Sequence, residues 1–187
     1  MGDPKFPRKK YETPTHPWEA ERIEREREII QKYGLKNKRE IWRAATFLRK
    51  LRGHARELFV GMEEAQTKKE TQELLQRMIR LGLLPANSQL DDVLTLTLDD
   101  VLSRRLQTQV YLRGMAYTPK QARQMITHGH IAVNGRKVRV PAYMVKKNEE
   151  NAIAIVGTSP LAEDMHPMRP KAQETMEQRV AETAEEA

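Results

Sequence analysis

Cysteine is absent from this chain of 187 residues, which excludes disulfides, thiolate zinc sites and cysteine nucleophiles. Long apolar runs are absent too, since nothing approaches the roughly eighteen consecutive apolar residues of a membrane-spanning helix. The opening residues, MGDPKFPRKKYETPTHPW, carry basic groups without an apolar stretch, which is unlike a secretory signal. The sequence therefore predicts no membrane contact, and the missing cysteine fits a reducing compartment.

Aromatic residues are scarce, at 5% of the chain, and residues 118–140 contain no Phe, Tyr or Trp. A platform for single-stranded nucleic acid stacks bases on such rings, so that class of site is not predicted there. The chain also lacks a phosphate-cradling glycine loop, a catalytic triad and an activated pair of carboxylates. His128 and His130 have no carboxylate or thiolate neighbours to complete a metal site. These absences predict a protein that is not an enzyme and uses neither cofactor nor metal.

Charge is abundant and unevenly distributed, with 33 Lys or Arg against 26 Asp or Glu and a net charge of +7. Residues 1–60 carry 16 cations against 9 anions, and residues 99–147 carry 10 against 2. Residues 61–98 and the tail from residue 161 carry more anions than cations. A thermophile-like surface of Lys and Glu explains high charge but not this segregation. Two separated basic regions favour a polyanionic partner, and nucleic acid is the preferred interpretation.

The N-terminal residues predict an arm followed by a helix. Residues 1–17 hold four prolines among basic side chains and are interpreted as a disordered, extended basic arm. A helix is predicted over residues 17–34, where Gly34 supplies the stop. Trp18 and Trp42 are interpreted as packing anchors.

The rest of a helical region, residues 18–97, is predicted from caps and spacing. Asn37 with Glu40 resembles a capping box for a second helix, and a third helix is predicted over residues 64–81. The residues that follow, NSQLDDVLTLTL, are interpreted as a linker. The second helix has an apolar stripe at helical spacing that predicts burial: Ile41, Ala45, Leu48, Leu51, Ala55 and Leu58.

A second unit is predicted over residues 98–157. A capping box at Thr97 predicts a helix that runs to about Leu112. Thr118 followed by proline and, three residues after the cap, glutamine predicts a shorter helix that ends at Gly129. The remaining residues, 158–187, are interpreted as an acidic flexible tail.

The dipeptide Asn134-Gly135 between alternating residues predicts a hairpin with a two-residue turn. A last strand is predicted over residues 152–156. The pleat places one set of side chains towards the core, namely Ile131, Val133, Val138 and Val140, and another on the opposite face, namely His130, Lys137 and Arg139. The predicted fold class is α+β, with a helical N-terminal region followed by two short helices packed on a small, mainly antiparallel sheet.

Cationic, amide and imidazole side chains are concentrated on the outer faces of these elements. Cations neutralise phosphates, while amides and imidazoles hydrogen-bond to sugar hydroxyls and base edges. Without stacking platforms, this combination favours recognition of structured RNA by shape. The predicted RNA-binding residues are Lys9, Lys10, Arg39, Arg43, Arg49, Lys50, Arg52, Arg56, Arg104, Arg105, Arg113, Lys120, Gln121, Arg123, Gln124, His128, His130, Asn134, Arg136, Lys137 and Arg139.

Five motifs follow one another in the second unit: LSRRL from Leu102, YLRGMA from Tyr111, TPKQARQ from Thr118, HGHIAVNG from His128 and VRVPAY from Val138. Together they resemble the RNA-binding module of the small-subunit ribosomal protein S-four family. The N-terminal stretches GDPKFPRKKYETPTHPWEAERI and YGLKNKREIWRA resemble the archaeal and eukaryotic members of that family.

The resemblance implies a cytoplasmic, structural protein of the small ribosomal subunit. It implies that the N-terminal helices and the module together clasp a multi-helix junction of small-subunit ribosomal RNA, early in assembly and near the side where messenger RNA enters. Neighbouring ribosomal proteins and messenger RNA are implied partners. Two departures stand out: the bacterial cysteine cluster for zinc is missing, and Pro119 stands where bacterial members often carry arginine.

Two alternatives accompany this interpretation. An RNA-modifying or tRNA-acting enzyme could use the module as an anchor, but it needs a catalytic domain for which the chain has no room. A free RNA-binding regulator or rescue factor is compatible with the module alone, and repression of its own messenger could be a second role.

Overall fold

The computed structural model describes residues 9–60 and 65–162, and the first half of the chain is built on three helices. They are α1 (Ala20–Tyr33), α2 (Lys38–Val60) and α3 (Ala65–Leu81). α1 ends where Gly34 adopts φ 59°, a left-handed conformation that glycine accepts without a steric penalty. The apolar stripe of α2 faces the neighbouring helices as its spacing predicts, except that Ala44 is buried in the core and Ala45 is only half-buried. Glu64, where the third helix was expected to begin, lies outside the described residues.

The segment interpreted as a linker contains a helix, α4 (Leu90–Thr95), which is followed directly by α5 (Leu98–Ser103). The linker interpretation is therefore wrong. A capping box of Gln89 with Asp92 starts α4, and glutamine is not among the residues that usually mark an N-cap. Thr97 with Asp100 starts α5, as predicted. Both short helices pack against α2.

The single helix predicted over residues 97–112 is wrong in its continuity, because it breaks at Arg104 and resumes as α6 (Leu106–Leu112). Backbone pairing with a distant segment accompanies the break. The Leu106 amide donates to the Tyr143 carbonyl at 2.8 Å, and the Val145 amide donates to the Arg104 carbonyl at 3.0 Å. Residues 143–145 thus replace the hydrogen bonds that a continuous helix would have made.

Side chains of α6 complete the broken end of α5. The Thr108 hydroxyl donates to the Leu102 carbonyl at 2.8 Å, and the Gln109 amide donates to the Ser103 carbonyl at 2.9 Å. Helix carbonyls left without an intrahelical partner need such donors when water is excluded. The backbone groups at this kink are therefore hydrogen-bonded, and the kink connects the two halves of the chain.

The second half combines α6 with a further helix and a small sheet. α7 (Pro119–His128) begins at Thr118, whose hydroxyl accepts the Gln121 amide, and ends at Gly129 with φ 79°, as predicted. The sheet is antiparallel with strand order β2-β1-β3, formed by β1 (Ile131–Val133), β2 (Arg136–Lys137) and β3 (Ile153–Ile155), and a 3-10 helix at Lys147–Ala152 precedes β3. The predicted α+β fold class is confirmed.

Two apolar clusters form the core. The buried residues of the first belong to α1 to α5 and their connections, with the half-buried Met144 packed against them, and the second begins at Leu106 and is made mainly by α6, α7 and the sheet. Two packing predictions fail: Val140 is 57% exposed because the chain leaves the sheet after Lys137, and Trp18 is 88% exposed ahead of α1. None of the helices in the described ranges combines the length and apolar character of a membrane span.

Candidate nucleic-acid interface

The predicted RNA-binding residues fall into three groups by exposure. Exposed side chains belong to Lys9, Lys10, Arg39, Arg43, Arg49, Lys50, Arg56, Lys120, Gln124, His128, Asn134, Arg136, Lys137 and Arg139. Half-buried side chains belong to Arg52, Arg104, Arg113, Gln121, Arg123 and His130. Arg105 is buried, with 6% of its surface exposed.

The hairpin presents three cations next to the end of α7. Asn134 and Gly135 both take left-handed conformations, with φ 51° and 72°, which suit a two-residue hairpin turn. A Cβ atom placed on Gly129 would lie 3.0 Å from Lys137 Cδ and 3.1 Å from Arg139 Nε. Both side chains therefore cross the helix end together, and with Arg136 they make no ion pair to the residues that the structure describes.

The outer side of α7 continues this polar surface. Lys120, Gln124 and His128 are exposed, while the apolar side of the helix is buried in the second cluster. A cleft of about 230 Å³ opens beside it, lined in part by Gln124, His128, His130 and Leu161. Amide and imidazole groups at its rim can bond to sugar hydroxyls or base edges.

The two imidazoles of this cleft lie side by side. The His128 and His130 ring centroids lie 6.3 Å apart with the rings nearly parallel, and His130 Nδ1 lies 2.8 Å from the Ser159 hydroxyl. Over residues 9–60 and 65–162, no group of three His, Asp or Glu side chains is placed to hold a metal ion. His128 is exposed and available for hydrogen bonding or stacking, while His130 is held by Ser159.

Cations on α2 form a second basic surface in the first half of the chain. Arg39, Arg43 and Lys50 are exposed along one side of the helix. Arg49 and Arg56 lie on another side, where they line a cleft of about 470 Å³ with Arg52. The Arg52 guanidinium also donates to the Leu96 carbonyl at 2.6 Å, which ties the cleft to the end of α4.

The described part of the basic arm runs along α2. The Tyr11 ring lies 6.1 Å from the Trp42 ring, and the Glu12 amide donates to the Thr46 hydroxyl at 3.0 Å. Lys9 and Arg43 both lie over the Tyr11 ring, at 5.0 and 5.8 Å. Cation–π contacts of this kind align the arm cations with those of α2.

Arg104 turns into the protein. Its Nε donates to the Leu81 carbonyl at 2.8 Å, one Nη donates to the Val145 carbonyl at 3.1 Å, and the other forms an ion pair with Glu150. The guanidinium therefore joins the end of α3 to the segment before β3. Its donors are used within the chain, and little of its surface is left for a ligand.

Arg105 and Arg123 share one carboxylate. Glu40 Oε2 accepts from Arg105 at 2.9 Å, and Glu40 Oε1 accepts from Arg123 at 2.7 Å. The second Arg123 amino group also reaches Glu40 Oε2, at 3.2 Å, so this contact is bidentate. The predicted capping role of Glu40 is replaced by a buried ion-pair cluster.

Gln107 lies at the centre of the same junction and is 1% exposed. Its amide nitrogen lies 2.9 Å from each of three carbonyl oxygens, those of Tyr33, Gly34 and Pro119. Its carbonyl oxygen accepts from Arg123 at 3.3 Å. The ends of α1, α6 and α7 therefore meet at one side chain.

The electrostatics of the cluster keep Glu40 ionised. Burial alone would raise the pKa of Glu40, but hydrogen bonds from Arg123 and the charges of Arg105 and Arg123 outweigh it and lower the pKa. Burial lowers the pKa of Arg105, and Glu40 opposes that shift. One carboxylate thus faces two guanidinium groups, leaving an excess positive charge at the junction.

Comparison with known protein families gives a match for each half of the chain. Residues 4–103 match the family model described as "Ribosomal protein S4/S9 N-terminal domain", and residues 104–151 match the model described as "S4 domain". The chain belongs to the ribosomal protein S4 family. The two matched ranges meet at Arg104, where the helix breaks and the first apolar cluster gives way to the second.

Members of the S4 family from archaea are similar along most of their length. The "Small ribosomal subunit protein uS4" of Methanothermobacter thermautotrophicus is 52% identical over 86% of this chain and 94% of its own. The protein of the same name from Picrophilus torridus is 50% identical over 95% of this chain and 98% of its own. That from Thermoplasma volcanium is 48% identical over 99% and 93%.

In this S4-family chain, reasoning from the sequence alone missed Glu40 and Gln107. Their partners lie far away in sequence, since Glu40 pairs with residues 65 and 83 positions later. A weak signal existed, because Glu40 is one of only two acidic residues in the basic helix α2. An acid retained among so many cations indicates a specific partner.

Proposed function

We propose that this chain is a structural, non-catalytic constituent of the small ribosomal subunit and binds its ribosomal RNA. The observation that carries the proposal is the family match over both halves, combined with an exposed basic surface on each half. The relatives named small ribosomal subunit proteins support the same role. Cytoplasmic ribosomes are the implied location, and neighbouring ribosomal proteins are implied partners.

The proposed RNA contacts are the exposed cations and amides of the arm, α2, α7 and the hairpin. Phosphate neutralisation falls to the cations, and Gln124, His128 and Asn134 supply hydrogen bonds to sugars or base edges. Arg104 and Arg105 are assigned instead to holding the fold, because their donors are used inside the protein. Arg123 is half-buried and serves mainly the junction at Glu40.

A finer role follows from the family resemblance. The two basic surfaces would grip a multi-helix junction of the RNA, with binding early in assembly and on the side where messenger RNA enters. Two contact surfaces joined by a fixed connection suit a branched RNA better than a single duplex, because each surface can engage a different helix.

Sedimentation of a cell lysate tests the proposed role directly. In a sucrose gradient, the chain should sediment with the small subunit in stoichiometric amount and should remain there after a high-salt wash. A chain that runs free, or that leaves the particle at moderate salt, would instead indicate a transient regulator or assembly factor.

A pair of charge-matched variants tests the contact surface. The triple change Arg136→Gln, Lys137→Gln, Arg139→Gln removes three hairpin cations, and the control Lys68→Gln, Lys69→Gln, Arg77→Gln removes three exposed cations of α3. The hairpin variant should bind small-subunit RNA more weakly, and the slope of log K against log salt should shrink by about 2 to 3.

The control variant should keep most of the affinity and nearly the same slope. Equal losses in the two triple variants would mean that only net charge matters, and the assignment of the hairpin would be withdrawn.

A further inference from the structure

The two basic surfaces of this chain belong to separate apolar clusters. The α2 cations lie on a helix that packs into the first cluster, while the α7 and hairpin cations lie on elements that pack into the second. A ligand that spans both surfaces binds well only if the clusters keep a fixed relation before it arrives. Otherwise the ligand has to select one arrangement from many, which lowers the apparent affinity.

Glu40 is an anionic group at the contact between these clusters, where Glu150 also forms an ion pair with Arg104. Glu40 lies in the first turn of α2, its side chain is 12% exposed, and both oxygens are used by arginines of the second half. Arg105 precedes α6 and Arg123 lies within α7, so one carboxylate reaches two elements of the module. A largely buried ion pair adds little net stability, but removal of one partner leaves an uncompensated charge, so the pairing favours the one arrangement that satisfies all three groups.

Two further contacts fix the same junction without net charge. Gln107 bonds to carbonyls at the end of α1 and the start of α7, as described above. Gly34 lies so close to α7 that an added Cβ atom would stand 2.8 Å from Pro119 Cβ. The junction is therefore hydrogen-bonded at Gln107 and tightly packed at Gly34, while Glu40, Arg105 and Arg123 also line a cleft of about 360 Å³.

We propose that Glu40 is a positioning residue for RNA binding, which holds the two basic surfaces at a fixed angle through Arg105 and Arg123. The proposal rests on the proposed RNA-binding function. It makes Glu40 a residue that strengthens binding to a polyanion although its own charge repels one.

The sign of the effect separates this role from simple electrostatics. Glu40→Gln and the control Glu57→Gln each remove one negative charge from α2, and Glu57 is 80% exposed. By charge alone, both variants should bind small-subunit RNA as tightly as the parent chain or more tightly. By positioning, Glu40→Gln should bind about tenfold more weakly if the competent arrangement falls to about a tenth of the population, while Glu57→Gln should not weaken.

The salt dependence supplies a second readout. The phosphate contacts are unchanged in number, so the slope of log K against log salt should be the same for Glu40→Gln as for the parent chain. A flattened slope would mean that contacts have been lost, and the positioning role would be rejected.

A distance measurement tests the mechanism without RNA. The chain has no cysteine, so two spin labels can be placed cleanly at Glu73→Cys on α3 and Thr158→Cys after β3. The distance distribution should be narrow in the parent chain and broader with Glu40→Gln. A distribution that stays narrow while affinity falls would overturn the proposal, and a parent chain that binds no ribosomal RNA would overturn the proposed function instead.

A second variant tests the same contact if Glu40→Gln fails to fold. Arg123→Lys preserves the charge but cannot make the bidentate contact to Glu40, whereas the control Arg77→Lys makes the same change at an exposed residue of α3. Arg123→Lys should weaken RNA binding several-fold and broaden the distance distribution, and Arg77→Lys should do neither. Equal, small effects of the two variants would count against the proposal.

Discussion

Gly34 shows how one residue without a side chain brings two halves of a chain together. Its φ of 59° ends α1, and its Cα hydrogen points at Pro119 with no room for a methyl group. Gly53, in the middle of α2, has neither constraint, since an added Cβ there meets nothing within 4 Å. Gly34 therefore has no room for an alanine side chain, whereas Gly53 does.

Replacing each glycine by alanine should change stability in opposite directions. Gly34→Ala should lower the free energy of unfolding by at least about 1–3 kcal/mol, because the left-handed conformation is strained for alanine and the methyl group contacts Pro119. Gly53→Ala should raise it by about 0.5–1 kcal/mol, because alanine favours a helix interior. Urea unfolding of both variants measures the difference, and a neutral Gly34→Ala would show that α1 and α7 can separate freely.

Glu26 is buried, with 5% of its surface exposed, and it gives a pH-dependent contribution to stability. Its carboxylate accepts from Trp42 Nε1 at 2.9 Å and pairs with Arg22 and Lys38. Burial would raise its pKa, but these partners outweigh burial and lower the pKa. A depressed pKa in the folded state means that the stabilisation is complete above the unfolded pKa of about 4.3 and is lost below it.

The fall in the free energy of unfolding at acid pH should therefore depend on Glu26. The parent chain should be more stable than Glu26→Gln at pH 7, and the gap should close as the pH falls below about 4 towards the lowered pKa. Urea unfolding at several pH values measures this gap. Glu21→Gln, whose ion pair with Arg25 is exposed, should differ from the parent by less than about 0.5 kcal/mol throughout, and a pH-independent gap for Glu26→Gln would contradict the assignment.

Among the elements, α7 has the most locally determined boundaries. Thr118 caps its start through the Gln121 amide, proline occupies its first position, and Gly129 ends it in a left-handed conformation. These features require only neighbouring residues, so the helix should keep its limits even when the junction to α2 is weakened. The basic side of the module therefore rests on a pre-formed helix.

Loss of the α7 cap should be measurable by itself. Thr118→Ala should lower the free energy of unfolding by about 1 kcal/mol, because the backbone amide of Gln121 loses its acceptor. Thr127→Ala is the matched control, since that hydroxyl only bonds back to the Gln124 carbonyl near the exposed end of the same helix. Chemical denaturation should separate the two variants, and equal effects would mean that the cap does not set the helix start.

The same distinction between local and distant causes explains which elements the sequence could predict. Thr118, Gly129 and Asn134-Gly135 act on their own neighbours, and α7 and the hairpin register were both predicted correctly. The break at Arg104 could not be predicted, because it depends on pairing with residues 143–145. Helix α4 was not predicted because its N-cap is glutamine, an uncommon residue at that position.

Side-chain roles were less predictable than elements, for a related reason. An arginine in a basic sequence has the same local pattern whether it faces RNA or a buried acid. Arg105 and Arg123 are distinguished from Lys137 and Arg139 only by Glu40, which lies in another helix. Alternation predicted Val140 in the core, but the strand ends after two residues and leaves it exposed.

Across the protein, the two apolar clusters are joined by a junction of hydrogen bonds and ion pairs. Gln107 alone reaches three carbonyls from α1 and α7, and it is almost fully buried. Both tryptophans of the chain, Trp18 and Trp42, lie in the first half. Trp18 is already exposed in the folded chain, so the change in fluorescence comes from Trp42, whose Nε1 donates to Glu26 of α1. Trp42 therefore reports the first half, whereas a label at Thr158 reports the second.

The parent chain should unfold with both probes reporting one midpoint, because the junction couples the clusters. Gln107→Leu leaves buried carbonyls unsatisfied, each at a cost of about 1–3 kcal/mol, and should separate the two midpoints. Gln124→Leu, an exposed amide on α7, should keep them together. Urea titrations with the two probes make this comparison, and coincident midpoints in Gln107→Leu would show that apolar contacts suffice to couple the halves.

The long sequence separation within the Glu40 cluster has a consequence for the order of synthesis. Glu40 leaves the synthesising ribosome well before Arg105 and Arg123, which follow 65 and 83 residues later. All buried residues of the first apolar cluster lie at or before Leu102, and the half-buried Met144 joins it later. Most of that cluster can therefore fold while the carboxylate still has no arginine. We expect the α2 cations to be exposed by then, and the pairing at Glu40 to fix the second half of the chain against the first afterwards.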